Sequence, residues 1–263
     1  MKLWNFFKQK FNGRNSTEAA QTEVARFVNL AFSLIQSEHY VEASGLLLKA
    51  LQHEAKIENP ALLEWILMSL FLTWEQNEKY QESAEFFSEF LVRNPNHAVG
   101  FELRAASQWY GGRLNEAIED YSRALELKPD YALALSGRGQ VLVECGQFDD
   151  ALRDLNKALD SIDGAQDMDP NWKTQFEAFA RNGRAAAYAG LGNFAGALAE
   201  FDKSVGLWPE NAWVYFNRAE AYRRQGDLGN AAENYSLALT KKQPKLTRLK
   251  RSHAEEMLRS LKA

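Results

Sequence analysis

Four arginines and the residues in phase with them are the groups of this sequence best suited to chemistry. Arg104, Arg138, Arg184 and Arg218 recur in one phase, and Asp120, Asp154, Glu200 and Asn234 recur in another. Stacked guanidinium groups could hold a phosphate backbone. The first three arginines, however, each have an acid in phase, and a guanidinium–carboxylate pair can bridge two helices with two parallel hydrogen bonds. The matched phase therefore assigns Arg104 with Asp120, Arg138 with Asp154 and Arg184 with Glu200 to structural inter-helix pairs. Arg218, opposite Asn234, is left to another partner or to the surface.

Other chemistry finds less support. His39, His53, His97 and His253 are scattered, and none forms a metal-spaced pair with a Cys, His or carboxylate on a helix face, so no metal is expected. Asp163, Asp167 and Asp169 lack the order and the terminal Glu of a calcium loop and read as an ordinary acidic loop. No glycine-rich phosphate loop follows a strand, and neither a cofactor nor a catalytic residue is expected. Cys145 has no second cysteine to resolve it and reads as a small packed residue. A single cysteine excludes an internal disulfide and suits a reducing compartment, so a cytoplasmic location is expected.

The elements that position these groups are helices in a repeat. Residues 98–129 give Phe101, Arg104, Ala105 and Gln108 at helical spacing, a break at Gly111 and Gly112, then Ala117, Tyr121, Ala124 and Pro129. Two short amphipathic helices face each other across a glycine turn, with alanines where the backbones come close. Ala117 is followed 34 residues later by Ala151, and Ala197 is followed 34 later by Ala231. Ser83 lies 34 before Ala117 and Ala43 lies 40 before Ser83, while the step from Ala151 to Ala197 is 46. Four residues after each comes Leu47, Phe87, Tyr121, Leu155, Phe201 or Tyr235. Three further on comes Ala50, Phe90, Ala124, Ala158, Ser204 or Ala238.

The pattern Ala-x3-Tyr, a following Ala and a closing Pro resembles the tetratricopeptide repeat, with Phe101 and Arg104 departing from the usual Trp and Leu. The resemblance implies an all-α fold, a right-handed α-solenoid of about six helix-turn-helix repeats with a C-terminal capping helix. The repeats are expected at about 24–54, 64–95, 98–129, 132–163, 178–209 and 212–244, within an array over 22–244. Residues 1–21 form a basic amphipathic segment and linker, and 245–263 the cap, with Leu249, Met257, Leu258 and Leu261 on its apolar side. Phe27, Leu30, Ala31 and Leu34 are expected on the packing face of the first helix. Asp169 followed by Pro170 is a strong helix start, so the helix of the fifth repeat begins early. The count comes to thirteen helices.

The formal net charge of −4 conceals an asymmetry. Residues 1–14 carry Lys2, Lys8, Lys10 and Arg14 with no acid, and residues 241–263 carry eight Lys or Arg against Glu255 and Glu256. The body between them has a net charge of −14. Such a body repels phosphate, which argues against nucleic acid, and favours a basic partner. No apolar run is long enough to span a bilayer. Leu3, Trp4, Phe7 and Phe11 share a helical face opposite lysines, which gives residues 1–14 either to packing on the first repeat or to weak contact with an anionic membrane.

In the family that the sequence resembles, the first helices line a concave groove that receives a peptide or a partner helix. Carried over residue by residue, the partner-binding positions are Trp65, Met68, Leu72, Glu102, Trp109, Tyr110, Gln140, Phe179, Asn182, Trp213, Asn217 and Glu220. Val28, Asn29, Phe32, Ser69, Ala106, Ser136, Ala186 and Phe216 share that surface, with Phe32 and Phe216 expected in the core. Val28, Met68, Glu102, Ser136, Asn182 and Phe216 hold the places where chaperone-binding members clamp a carboxylate, and none is lysine. The expected function is a bacterial, non-catalytic scaffold or adaptor for a protein partner, with Trp65, Trp109, Tyr110 and Trp213 as anchors and Asn182 and Asn217 orienting its backbone. Peripheral membrane association and a chaperone or toxin-neutralising binding role are the alternatives.

Overall fold

Every small residue that sets the repeat period lies where two helices meet. Ala43, Ala117, Ala151, Ala197 and Ala231 are wholly buried, and Ser83 nearly so. The larger residues one turn on, Leu47, Phe87, Tyr121, Leu155, Phe201 and Tyr235, are buried with them. A methyl group at the first position lets the helices approach, and the large side chain one turn later fills the space that the approach leaves. Serine at such a place needs a partner. Ser83 meets the Ser107 hydroxyl at 2.7 Å, and Ser204 donates to the Ala178 carbonyl at 2.7 Å.

The computed structural model describes residues 18–54, 57, 59–165, 169–241 and 246–261, and among them there are thirteen helices and no strand. Six hairpins follow in order, namely α1 (Glu18–Gln36) with α2 (Tyr40–Leu51), α3 (Pro60–Gln76) with α4 (Tyr80–Arg93), and α5 (Ala98–Tyr110) with α6 (Leu114–Leu127). Then come α7 (Ala132–Glu144) with α8 (Phe148–Gly164), α9 (Pro170–Gly190) with α10 (Phe194–Leu207), and α11 (Ala212–Gln225) with α12 (Leu228–Thr240). A single helix, α13 (Arg248–Ser260), ends the described chain. This is the all-α, α-solenoid class of stacked hairpins. Residues 1–14, the basic amphipathic segment, lie outside the described residues.

The hairpin turns use left-handed backbone. Gly112, Gly146, Gly192 and Gly226 have φ between +75° and +87°, which costs glycine nothing. The first two turns place Glu38 and Glu78 there instead, at φ +62° and +55°. Helix starts follow the sequence signals. Asn59 accepts from Ala61 N with Pro60 at the first helical position, and Asp169 accepts from the amides of Asn171 and Trp172 ahead of Pro170. The latter cap starts α9 at Pro170 and gives it 21 residues against 13 or 14 for α5, α7 and α11.

The chain divides into two compact units, residues 1–120 and 121–263. In the first, Trp74, Phe86 and Phe87 form a ring cluster with centroids 5.3 to 6.3 Å apart. In the second, α7 approaches its neighbours at glycines. A Cβ on Gly137 would lie 2.4 Å from the Tyr121 ring, and one on Gly139 would lie 2.7 Å from Leu155.

Four expectations change. α1 begins at Glu18, inside the stretch read as linker. Leu30 is 52% exposed rather than packed. Leu249 is 78% exposed, and the buried residues of the capping segment are Leu246 and Ala254. Cys145 is exposed at the C-cap of α7, and its partial burial, with Glu144 beside it, pushes the thiol up.

Candidate interaction surface

The arginine series joins three helices at a time. Arg104 gives Nε and Nη2 to the two carboxylate oxygens of Asp120, each at 2.6 Å, and Nη1 to Ser88 Oγ at 3.3 Å. Arg138 repeats this with Asp154 at 2.7 and 2.9 Å and Ser122 at 3.0 Å. Arg184 reaches Glu200 at 2.6 Å and Asn156 at 3.0 Å. Each guanidinium thus ties the second helix of its own hairpin to the second helix of the hairpin before. In the sixth hairpin the charge moves across. Arg218 Nε donates to Asn234 at 2.7 Å, and Nη1 donates to Asp202 on α10 at 2.9 Å. The carboxylate that its own hairpin lacks is supplied by the previous one. Burial pushes the Glu200 carboxyl up, but Arg184, Lys203 and Arg181 outweigh it and hold the group below its ordinary value.

In the first unit the expected partner-binding residues separate by exposure. Trp65, Glu102 and Trp109 are buried, Met68 and Tyr110 are half-buried, and Leu72 is 38% exposed. Trp65 lies against Phe32 with ring centroids 6.4 Å apart. Tyr110 stacks on Trp109 at 4.9 Å and on Phe71 at 6.1 Å. Phe32 itself is half-buried rather than core. Trp65 and Trp109 are therefore interior aromatics, because three ring-bearing first helices pack side by side and consume the surplus.

The second unit uses its polar candidates internally. Gln140, 3% exposed, donates Nε2 to the Phe179 carbonyl at 2.9 Å. Asn182, fully buried, accepts from Asn217 Nδ2 at 3.2 Å, while its own Nδ2 has no hydrogen-bond partner among the described residues. The sequence offers both amides to a partner's backbone, and the close approach of the first helices turns them onto one another instead. Phe179, Asn217 and Glu220 are half-buried, whereas Trp213 and Phe216 are buried.

What covers Trp213 is α13. Lys250 Nζ lies 4.9 Å from the Trp213 ring centroid and 5.3 Å from that of Phe216, and it donates to Glu144 Oε1 at 2.8 Å. One turn on, His253 Nε2 meets Glu220 Oε1 at 3.0 Å. Glu220 also accepts from Arg223 at 2.9 Å and from the Tyr235 hydroxyl. Burial raises the Glu220 carboxyl, and the hydrogen bonds from Arg223, Tyr235 and His253 reverse this and hold it below its ordinary value. Burial and Glu220 together push the Tyr235 phenol up. Lys250 and Glu144 are functional candidates that the sequence reading missed. The signal was present, because Lys250 lies 34 residues after Phe216 and continues the series Ser136, Asn182, Phe216. Among the described residues no group of acids, histidines and cysteine could hold a metal ion, and no helix is long and apolar enough to cross a membrane.

Comparison with known proteins agrees with this geometry. Models described as TPR repeat and tetratricopeptide repeat match residues 110–144 and 177–245. Tetratricopeptide repeat protein 36 of Bos taurus is 41% identical over 56 residues, which is 21% of this chain and 30% of that relative's length. Among solved structures, the Cut9–Hcn1 hetero-tetramer of the APC/C is similar over 99% of this chain and 46% of its own, with a TM-score of 0.70 at 13% identity. A thermophilic TPR protein of Thermus thermophilus, TTC0263, is similar over 76% of this chain and 99% of its own, with a TM-score of 0.56 at 20% identity. A tetratricopeptide repeat protein of Parabacteroides merdae covers 92% and 100%, with a TM-score of 0.53 at 19% identity. At these identities the likeness to solved structures is one of fold.

Proposed function

Because the chain is a tetratricopeptide-repeat protein, and such arrays serve protein–protein interaction, we propose that it is a non-catalytic scaffold holding a protein partner on the faces of its first helices. The supporting observation is Leu72, 38% exposed and one turn from the half-buried Met68, on the helix face of α3 that also carries Trp65. An apolar strip with ring-bearing support beneath it suits the apolar side of a partner helix. In this reading Met68, Leu72 and Tyr110 are the partner-contact residues of the first unit, and Phe179, Asn217 and Glu220 those of the second, each unit taken by itself. Trp65, Glu102, Trp109, Gln140 and Asn182 hold the surface from below, and Trp213 turns its ring to the cation of the helix lying on it. The acidic body selects a basic partner, and the single cysteine suits a cytoplasmic setting.

The membrane alternative loses ground at the C-terminal end. Two of its cations, Lys241 and Lys250, are engaged by Glu210 and Glu144 at 2.9 and 2.8 Å. Affinity capture from the cells that make the chain tests the scaffold reading. Met68→Asp combined with Leu72→Asp should fold with unchanged helix content and lose the proteins that the wild type retains. Retention of the same proteins by both would sink this reading and send the search to liposomes bearing anionic lipid.

A further inference from the structure

We infer that the first-helix face of the second unit is a receptor for a lysine-bearing amphipathic helix, whose resident occupant is the chain's own α13. This rests on the scaffold reading and names the class of partner for one of its faces. The ammonium of Lys250 is met by groups from two different first helices, the Glu144 carboxylate of α7 and the Trp213 and Phe216 rings of α11. Lys250 and Glu144 stand 106 residues apart in sequence, so the contact reaches over the whole fifth hairpin. A carboxylate and two ring faces converging on one cation make a recognition element for ammonium. The lysine side chain in it is only 18% exposed. His253, one turn on, repeats the arrangement at Glu220, with the Phe216 and Tyr235 ring centroids at 5.8 and 6.5 Å.

The attachment of α13 is of a replaceable kind. Its one buried residue is Ala254, with Met257 and Leu258 half-buried and Leu249 turned out to solvent. Cation and imidazole at i and i+3, with a small residue one turn after the lysine, specify the occupant more than apolar area does. An external helix with the same spacing would make the same contacts, and the acidic body would draw it in. The commitment is to a separate basic protein segment that displaces α13.

The test uses the full chain and a fluorescent peptide with the sequence of residues 246–261, followed by anisotropy. Lys250→Ala with His253→Ala loosens the resident helix, and this chain should bind the peptide at least about ten-fold more tightly than wild type does. Adding Glu144→Gln to the loosened chain should weaken binding about ten-fold. A peptide carrying Lys250→Glu, and a scrambled peptide of equal charge, should both fail. Equal binding of wild-type and scrambled peptides, or no binding by a loosened chain of native helix content, overturns the inference. Should the double variant not fold, Lys250→Gln alone serves, read by the same titration. Dimers that form in wild type and vanish with Lys250→Glu would give the face to a second copy's α13 and overturn the external partner. If the peptide fails while capture still depends on Met68 and Leu72, this inference falls and the scaffold reading stands.

Discussion

At the scale of residues, Glu220, like Glu200, is an acid of the second unit that bonds to three side chains. It is a carboxylate under burial that keeps its charge because Arg223, Tyr235 and His253 all bond to it. Its folded pKa lies below the ordinary 4.5, so the stabilisation is present above that value and is lost as pH falls through the lower folded one. Glu220→Gln should therefore lower stability at pH 7 by about 1 kcal/mol, or roughly 2–4 °C in Tm. The Tm difference from wild type should shrink below pH 4.5, and a difference constant from pH 7 to 3 would contradict this account. The arginine series shows a related economy. Where Asn234 replaces the acid, Asp202 supplies the charge from the hairpin before, so the guanidinium is bridged in all four places.

At the scale of elements, the turns between paired helices carry the clearest imbalance. Four of the six place glycine in the left-handed region, and two place Glu38 and Glu78 there. A side chain with a Cβ costs about 1 kcal/mol in that conformation, partly offset by the entropy that glycine loses on folding. Glu78→Gly should raise stability by about 0.5–1 kcal/mol, read as an upward shift of the urea midpoint with an unchanged slope. A lower midpoint would show that the Glu78 side chain does more than fill the turn. The extra length of α9 has an equally local cause, since the Asp169 cap and Pro170 start the helix ahead of the repeat register.

At the scale of the whole molecule, a repeat chain is stabilised by each hairpin and its neighbours, so a helix with little buried surface opens first. α13 buries fully only Ala254, whereas α7 buries eight residues, from Ala134 to Leu142. Hydrogen exchange should therefore release the amides of α13 well before those of α7. Equal protection in the two helices would mean that α13 is held as firmly as an interior repeat, and would weaken the case for its displacement.

The sequence by itself determined the fold class, the six-fold register and the hairpins, because one small buried residue per helix pair leaves a periodic trace that needs no knowledge of distant contacts. It also carried the three arginine–acid pairs, since both partners keep the same phase. Only the tertiary structure decided which first-helix residues are covered. Burial of Trp65, Trp109 and Trp213, and the hydrogen bond that joins Asn182 and Asn217, depend on how closely neighbouring helices approach, which no single helix pattern encodes. The meeting of Lys250 with Glu144 joins residues 106 apart in sequence, and chain spacing contains no term for a contact that passes over an entire hairpin.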